Sequence, residues 1–132
     1  MKPGFSDVLI GLQYGDEGKA RIIDVIADEY DIIARFNGGS NAGHTIEAGD
    51  IRISLHQVPS GIFYKDKILY VGSGCVVNPV KLIAEIVEIH AAGVSLGGRF
   101  HISSLATLVQ PHHIMVDQLI GGDIGTTGQG DL

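Results

Sequence analysis

Apolar and polar positions change their spacing several times along the chain, and each change marks an element. Asp7-Val8-Leu9-Ile10-Gly11-Leu12 is a short apolar run bounded by polar residues, the pattern of a strand buried on both faces. Gln13-Tyr14-Gly15-Asp16-Glu17-Gly18-Lys19 breaks the run with two glycines and a cluster of charges. From Lys19 the spacing is helical. Ile22, Ile23, Val25 and Ile26 fall on one side to about Tyr30, with Arg21, Asp24 and Asp28 expected to face outward. Residues 31–36 (DIIARF) read as a second strand, so the opening of the chain predicts a βαβ unit with a right-handed crossover.

A second glycine-rich loop, residues 37–45, follows. Residues 45–47 and 51–55 flank Ala48-Gly49-Asp50 and predict a β-hairpin, and Pro59-Ser60-Gly61 marks a further turn. Residues 67–71 are apolar enough for a strand, which Gly72-Ser73-Gly74 is expected to end. Asn78 and Pro79 look like an N-cap and first helical residue. Leu82, Ile83, Ile86, Val87 and Ile89 would be the buried face of that helix, and Gly93 its C-terminal cap. Residues 99–103 predict a strand and 110–119 a weak helix, before a third glycine-rich stretch at 121–132. The predicted fold is α/β, with a mainly parallel sheet, flanking helices and a β-hairpin.

Composition narrows the function classes. With 132 residues, 45% hydrophobic and 18% charged, the chain has the material of one globular core and is neither disordered nor a coiled coil. The net charge of −6 argues against nucleic acid as a partner. The lone Cys75 cannot form an internal disulfide, there is no zinc-like Cys/His spacing, and residues 1–6 do not read as a signal peptide, so a reducing cytoplasm is expected. No apolar run is long enough to suggest a membrane partner.

The glycine loops carry the candidate chemistry. The first opens a helix, so its amides, the helix dipole and Lys19 could face an anion. It is not a Walker A loop, because the spacing from Gly11 to Gly18 is wrong and Ala20 stands where a hydroxyl residue would follow the lysine. Phosphate binding and a plain structural turn both remain open at this level. Asp16 and Glu17 either stabilise the helix N-terminus or bind Mg²⁺ and remove a substrate proton. His44 is either a surface histidine or, beside the first loop, a catalytic one. His56 reads as a structural or surface residue, Cys75 as a small buried hydrophobe, and the adjacent His112 and His113 as a poor zinc pair. His90 and His101 carry no signal.

Gln13 to Lys19, Asn41-Ala42-Gly43-His44-Thr45, Pro59-Ser60-Gly61 and Ile124-Gly125-Thr126-Thr127-Gly128 occur in the order and spacing of adenylosuccinate synthetases, and the chain resembles that family over nearly its whole length. The family's protein is about three times longer. The resemblance therefore implies that residues 1–132 are the N-terminal part of its α/β nucleotide-binding domain, incomplete relative to the full domain. It also implies GTP-dependent, Mg²⁺-assisted ligation of IMP and L-aspartate by way of 6-phosphoryl-IMP, in a cytoplasmic homodimer. Asp16 would remove the N1 proton of IMP and bind Mg²⁺ together with the backbone of Gly43, while His44 acts as the acid and Lys19 assists. Gly15, Asp16, Glu17, Gly18, Lys19, Ala20, Arg21, Gly43, His44 and Thr45 would contact GTP and its phosphates. Asp16, Glu17, Gly18, Lys19, Asn41, Ala42, Gly43, His44 and Thr127 would contact IMP.

The chain departs from the family pattern at Ala20, usually glycine, and at Gln129, often basic. The family's guanine-recognition motif, its aspartate-binding loop and an arginine that reaches IMP across the dimer lie downstream of the residues matched here. The alternative expectation is thus a truncated homologue that holds a phosphate or nucleotide without turning it over.

Overall fold

The computed structural model describes residues 4–12, 18–41, 43–49 and 51–124. Its core is a parallel sheet built from β1 (Ile32–Gly38), β4 (Ile68–Val77), β5 (Phe100–Ile102) and β6 (Thr107–Leu108). β4 is the hub, pairing with β1 along one edge and with β5 and then β6 along the other. A separate antiparallel hairpin joins β2 (His44–Ala48) to β3 (Ile51–Leu55), in the register that sets His44 opposite Leu55. The helices are α1 (Lys19–Ile26, continued by a 3-10 turn at Ala27–Glu29), α2 (Pro79–Ala91) and α3 (Pro111–Ile124). The α/β class, the parallel sheet and the hairpin agree with the sequence pattern.

Local chemistry explains the helix ends. The Asn78 side chain accepts from the Lys81 amide at 3.2 Å, and Pro79 starts α2. At the other end Gly93 takes φ +83, with its amide on His90 and that of Val94 on Ile89, a Schellman closure that only glycine adopts cheaply. Strand β4, helix α2 and strand β5 form a βαβ unit.

Three expectations fail for identifiable reasons. Residues 7–12 form no strand, and Val8, Ile10 and Leu12 are exposed. A strand buried on both faces needs a hydrogen-bonded neighbour and two covering layers, and no pairing with this segment occurs among the described residues. The βαβ unit predicted at the start of the chain is therefore not formed. Second, Gly72 and Gly74 lie inside β4 instead of ending it. β1 carries an irregularity between Arg35 and Asn37, and there its backbone crowds β4 so closely that a Cβ at Gly74 would collide with the Phe36 carbonyl. Third, the helix faces are rotated from the simple apolar count. Ile22, Val25, Ile83 and Val87 are exposed, while Asp24 is half-buried and Glu85 is buried.

Ile33, Leu69, Val71 and Val77 of the sheet join Ile46, Ile53 and Leu55 of the hairpin and Leu82 and Ile89 of α2 in one core, with Ala27 and Ile62. The opposite face of the sheet, with Ile32, Phe36, Ile68 and Tyr70, is exposed. Cys75 is buried as expected, its thiol directed at the Arg35 carbonyl at 3.3 Å.

Candidate functional site

The site is organised by the segment that follows β3, residues 56–61, which three other elements hold in place. From α2, the buried Glu85 carboxylate accepts the amides of His56, Gln57 and Val58 at 2.9–3.2 Å. Beside it the Gln57 side chain donates to the Asn78 carbonyl at 3.1 Å and accepts its amide at 2.7 Å, tying the segment to the start of α2. From α1, Asp24 accepts the Gly61 amide at 2.8 Å, where Gly61 takes φ +85 to make the turn. From β2, the His44 Nε2 lies 3.0 Å from the Ser60 hydroxyl.

These contacts bring together residues far apart in sequence. His44 opens β2, where the sequence reading had put it in a loop, and it ends the glycine-rich connection that leaves the carboxyl end of β1. Its imidazole is half-buried, and burial holds its pKa below the ordinary value near 6.5, with Asp24 pulling the other way. Asp24 is pushed above the ordinary carboxylate value, mainly by burial, against the opposing pull of the Gly61 amide and His44. Asp24 had been expected to face outward. It is instead the link between α1 and the histidine, and its burial depends on a turn 37 residues later.

Arg35 of β1 fixes the other side of the connection. Its guanidinium donates to the carbonyls of Asn37, at 3.2 Å, of Gly39, at 2.6 Å, and of His56. Strand β1, the start of the 39–43 connection and the 56–61 segment are thereby pinned together by one cation.

The other expected site residues divide clearly. Gly18 is the N-cap of α1 with φ +74, and Lys19, Ala20 and Arg21 form its first turn. Asp24 sits five residues beyond Lys19, about 7–8 Å along the helix axis. His44 is therefore tied to the helix that the first glycine loop opens. Asn41 and Gly43 are exposed in the connection, and Thr45 is exposed on β2 opposite Ser54. Gly15, Asp16, Glu17, Ala42 and Thr127 lie outside the described residues.

Among the described residues no cluster of three His, Cys, Asp or Glu side chains could hold a metal ion. His112 and His113 stack edge to face, and His113 accepts the Gln110 amide at 3.0 Å, a local role at the start of α3. The backbone of Gly43 is exposed, and its carbonyl is a hard oxygen of the kind Mg²⁺ takes. No helix is long and apolar enough to cross a membrane among the described residues.

The lowered pKa of His44 fixes the sign of a pH effect. Below about 6.5 the unfolded chain binds a proton that the folded chain resists. His44 therefore costs stability as pH falls from 6.5 through its folded pKa. Asp24, with a raised pKa, acts oppositely and costs stability as pH rises from 3.8 through its own folded value. The thermal midpoint of wild type should thus fall relative to His44→Gln when pH is lowered below 6.5. Parallel melting curves of the two proteins would count against the buried placement.

The described residues form an α/β scaffold in which a half-buried histidine at the start of β2 is tied, through the 56–61 segment, to helix α1. The chain belongs to the adenylosuccinate synthetase family, whose model matches residues 8–131. It is 53% identical over 129 residues to adenylosuccinate synthetase 2 of Cupriavidus pinatubonensis, covering 98% of this chain and 28% of that protein. It is 46% identical to the adenylosuccinate synthetase of Chlorobaculum tepidum, covering 93% of this chain and 30% of that one. The fully ligated Plasmodium falciparum adenylosuccinate synthetase superposes with a TM-score of 0.79 at 38% identity, over 92% of this chain and 30% of that structure. The chain thus spans about three-tenths of the length of the relatives it matches.

Sequence reasoning missed Asp24, Arg35, Glu85 and Ser60 as parts of the site. Ser60 was in view within Pro59-Ser60-Gly61. A signal for Glu85 was also available, since a carboxylate at the centre of an otherwise apolar helical stripe requires a polar partner.

Proposed function

We propose that this segment carries the phosphate- and IMP-facing part of the adenylosuccinate synthetase reaction, the GTP-dependent joining of IMP and L-aspartate. The observation that carries the reading is the Asp24–Gly61 and His44–Ser60 connection, which ties His44 to the helix opened by the first glycine loop. Residues 1–132 would be the N-terminal part of an α/β nucleotide-binding domain. Asp16 would take the N1 proton of IMP, making O6 a nucleophile for the γ-phosphoryl group of GTP. The aspartate amine would then displace phosphate from 6-phosphoryl-IMP.

His44 would act as the acid; burial lowers its pKa, so its proton would have to be held there by the charge of the bound phosphates, and its Nε2 has a hydroxyl neighbour in Ser60. Lys19, with Gly18, Ala20 and Arg21 in the first turn of α1, would face phosphate, helped by the amides of Gly15 and Glu17. Asn41, Ala42, Gly43 and Thr127 would contact IMP, and Thr45 would lie near the GTP phosphates. Asp16 and the Gly43 carbonyl would hold Mg²⁺, which supplies charge neutralisation for phosphoryl transfer. Homodimerisation and a cytoplasmic setting follow from the same family reading.

A second reading is supported by the share of the relatives covered, 28–30%. On that reading these 132 residues by themselves bind IMP or phosphate weakly and form no adenylosuccinate. Loss of orienting contacts can cost about 7–11 kcal/mol of barrier lowering. One experiment separates the two. Residues 8–131 are exchanged for the matching segment of the Cupriavidus pinatubonensis relative, and turnover is followed by absorbance with IMP, GTP, L-aspartate and Mg²⁺, alongside the 132-residue chain. An active chimaera with an inactive short chain is expected. An inactive but folded chimaera would overturn the catalytic reading, and an active short chain would overturn the second.

A further inference from the structure

We propose that His56 is a positioning residue of this site, its imidazole packed on the Gly43 backbone so that it sets the path of the chain into His44; the link to nucleotide binding rests on the function proposed above. The hairpin register leads to it. His44 pairs with Leu55, so the next cross-strand pair, just beyond the ladder, is Gly43 with His56. Where two side chains would normally meet, one partner has none, and the histidine ring fills the space over the glycine backbone.

The fit is tight. A Cβ at position 43 would lie 2.6 Å from the His56 Nδ1 and 2.9 Å from its Nε2, closer than real contacts allow. Gly43 is not among the glycines with positive φ, so the backbone itself does not call for glycine there. The ring does. What the glycine accommodates in Asn41-Ala42-Gly43-His44 is thus a close approach of the His56 ring and not a turn.

The peptide that carries the ring is clamped on both sides. The His56 amide donates to Glu85 at 2.9 Å, and its carbonyl accepts from Arg35. The ring's Nε2 lies 3.4 Å from the Ser54 hydroxyl. The side chain is exposed, so its removal takes little from the core. What it removes is the surface that holds the Gly43 peptide in place.

Three variants of the 132-residue chain test this: His56→Ala, Gly43→Ala, and the double variant. In His56→Ala the Gly43 α-proton resonances should lose their ring-current displacement and move toward ordinary glycine values. The thermal midpoint should stay close to wild type, and affinity for IMP should weaken about tenfold. Gly43→Ala should lower the thermal midpoint and abolish IMP binding. In the double variant the midpoint should recover, because the clash has gone. Unchanged Gly43 resonances in His56→Ala, or a double variant no more stable than Gly43→Ala, would overturn the placement. Unchanged IMP affinity in His56→Ala would overturn the positioning role. Absence of IMP binding in wild type would instead fall on the proposed function, while the resonances and midpoints still decide the placement.

Discussion

Asp16→Asn in the chimaeric enzyme is expected to lower the rate of adenylosuccinate formation by about 10²–10⁴-fold, the usual contribution of a positioned general base. Asparagine keeps the shape of the side chain and removes both the proton acceptor and the negative charge. N1 of IMP would then keep its proton, O6 would remain a poor nucleophile, and Mg²⁺ would lose its charged ligand. Two defects are predicted together, slower turnover and weaker nucleotide-supported Mg²⁺ binding. Turnover within threefold of the parent chimaera would remove Asp16 from the proposed mechanism. His44→Asn should also slow the reaction, but with Mg²⁺ binding retained, since His44 is assigned to the acid and not to the metal.

Glu85→Ala is expected to be the most damaging single change to stability, with a loss of about 3 kcal/mol or more. The carboxylate is buried and accepts three successive amides, so its removal orphans donors in a segment whose Gln57 and Val58 are themselves buried. Each orphaned donor costs about 1–3 kcal/mol, although relaxation and entering water would recover part of that sum. Glu85→Gln keeps one acceptor oxygen and should lose only about 1–2 kcal/mol. Urea titration of the two variants gives the comparison directly. Because Ser60 and Gly61 belong to the same segment, Glu85→Gln should also loosen His44, visible as faster exchange of the Gly61 amide. Equal stability of wild type and Glu85→Ala would show that the segment is held by something else.

Much of the scaffold was legible in the sequence because its signals are local. Asn78-Pro79 and Gly93 bracket α2 through capping chemistry contained within a turn. The hairpin was equally readable, with Gly49 at φ +60 in the connection between β2 and β3. What was not legible depends on distant partners. Gly72 and Gly74 look like a strand terminator until Phe36 of β1 is known to press against them. Asp24 and Glu85 follow the ordinary rule that carboxylates face water, and only the amides of Gly61 and of residues 56–58 reverse it. The apolar segment 7–12 shows the converse limit. Its composition suits a strand, but a strand exists only with a neighbour to pair with.

The candidate site divides in the same way. The motifs holding Lys19, Asn41, Gly43 and His44 were identifiable from their order and spacing, whereas Asp24 and Arg35 behind them were not. Asp24, Arg35, Ser60 and Glu85 come from α1, β1, the 56–61 segment and α2, and nothing in their immediate sequence marks them as neighbours. The glycine at position 43 reads in the sequence as part of a glycine-rich loop and, by resemblance, as a backbone ligand, while the imidazole lying against it comes from His56, 13 residues further on.

The most direct test of the account is an IMP titration of the isotope-labelled 132-residue chain, read by amide and imidazole resonances. Weak, saturable shifts are expected, concentrated at Lys19, Asn41, Gly43 and the His44 ring, with little change on α3. Shifts that fail to saturate, or that spare Gly43 and His44 while appearing elsewhere, would contradict it.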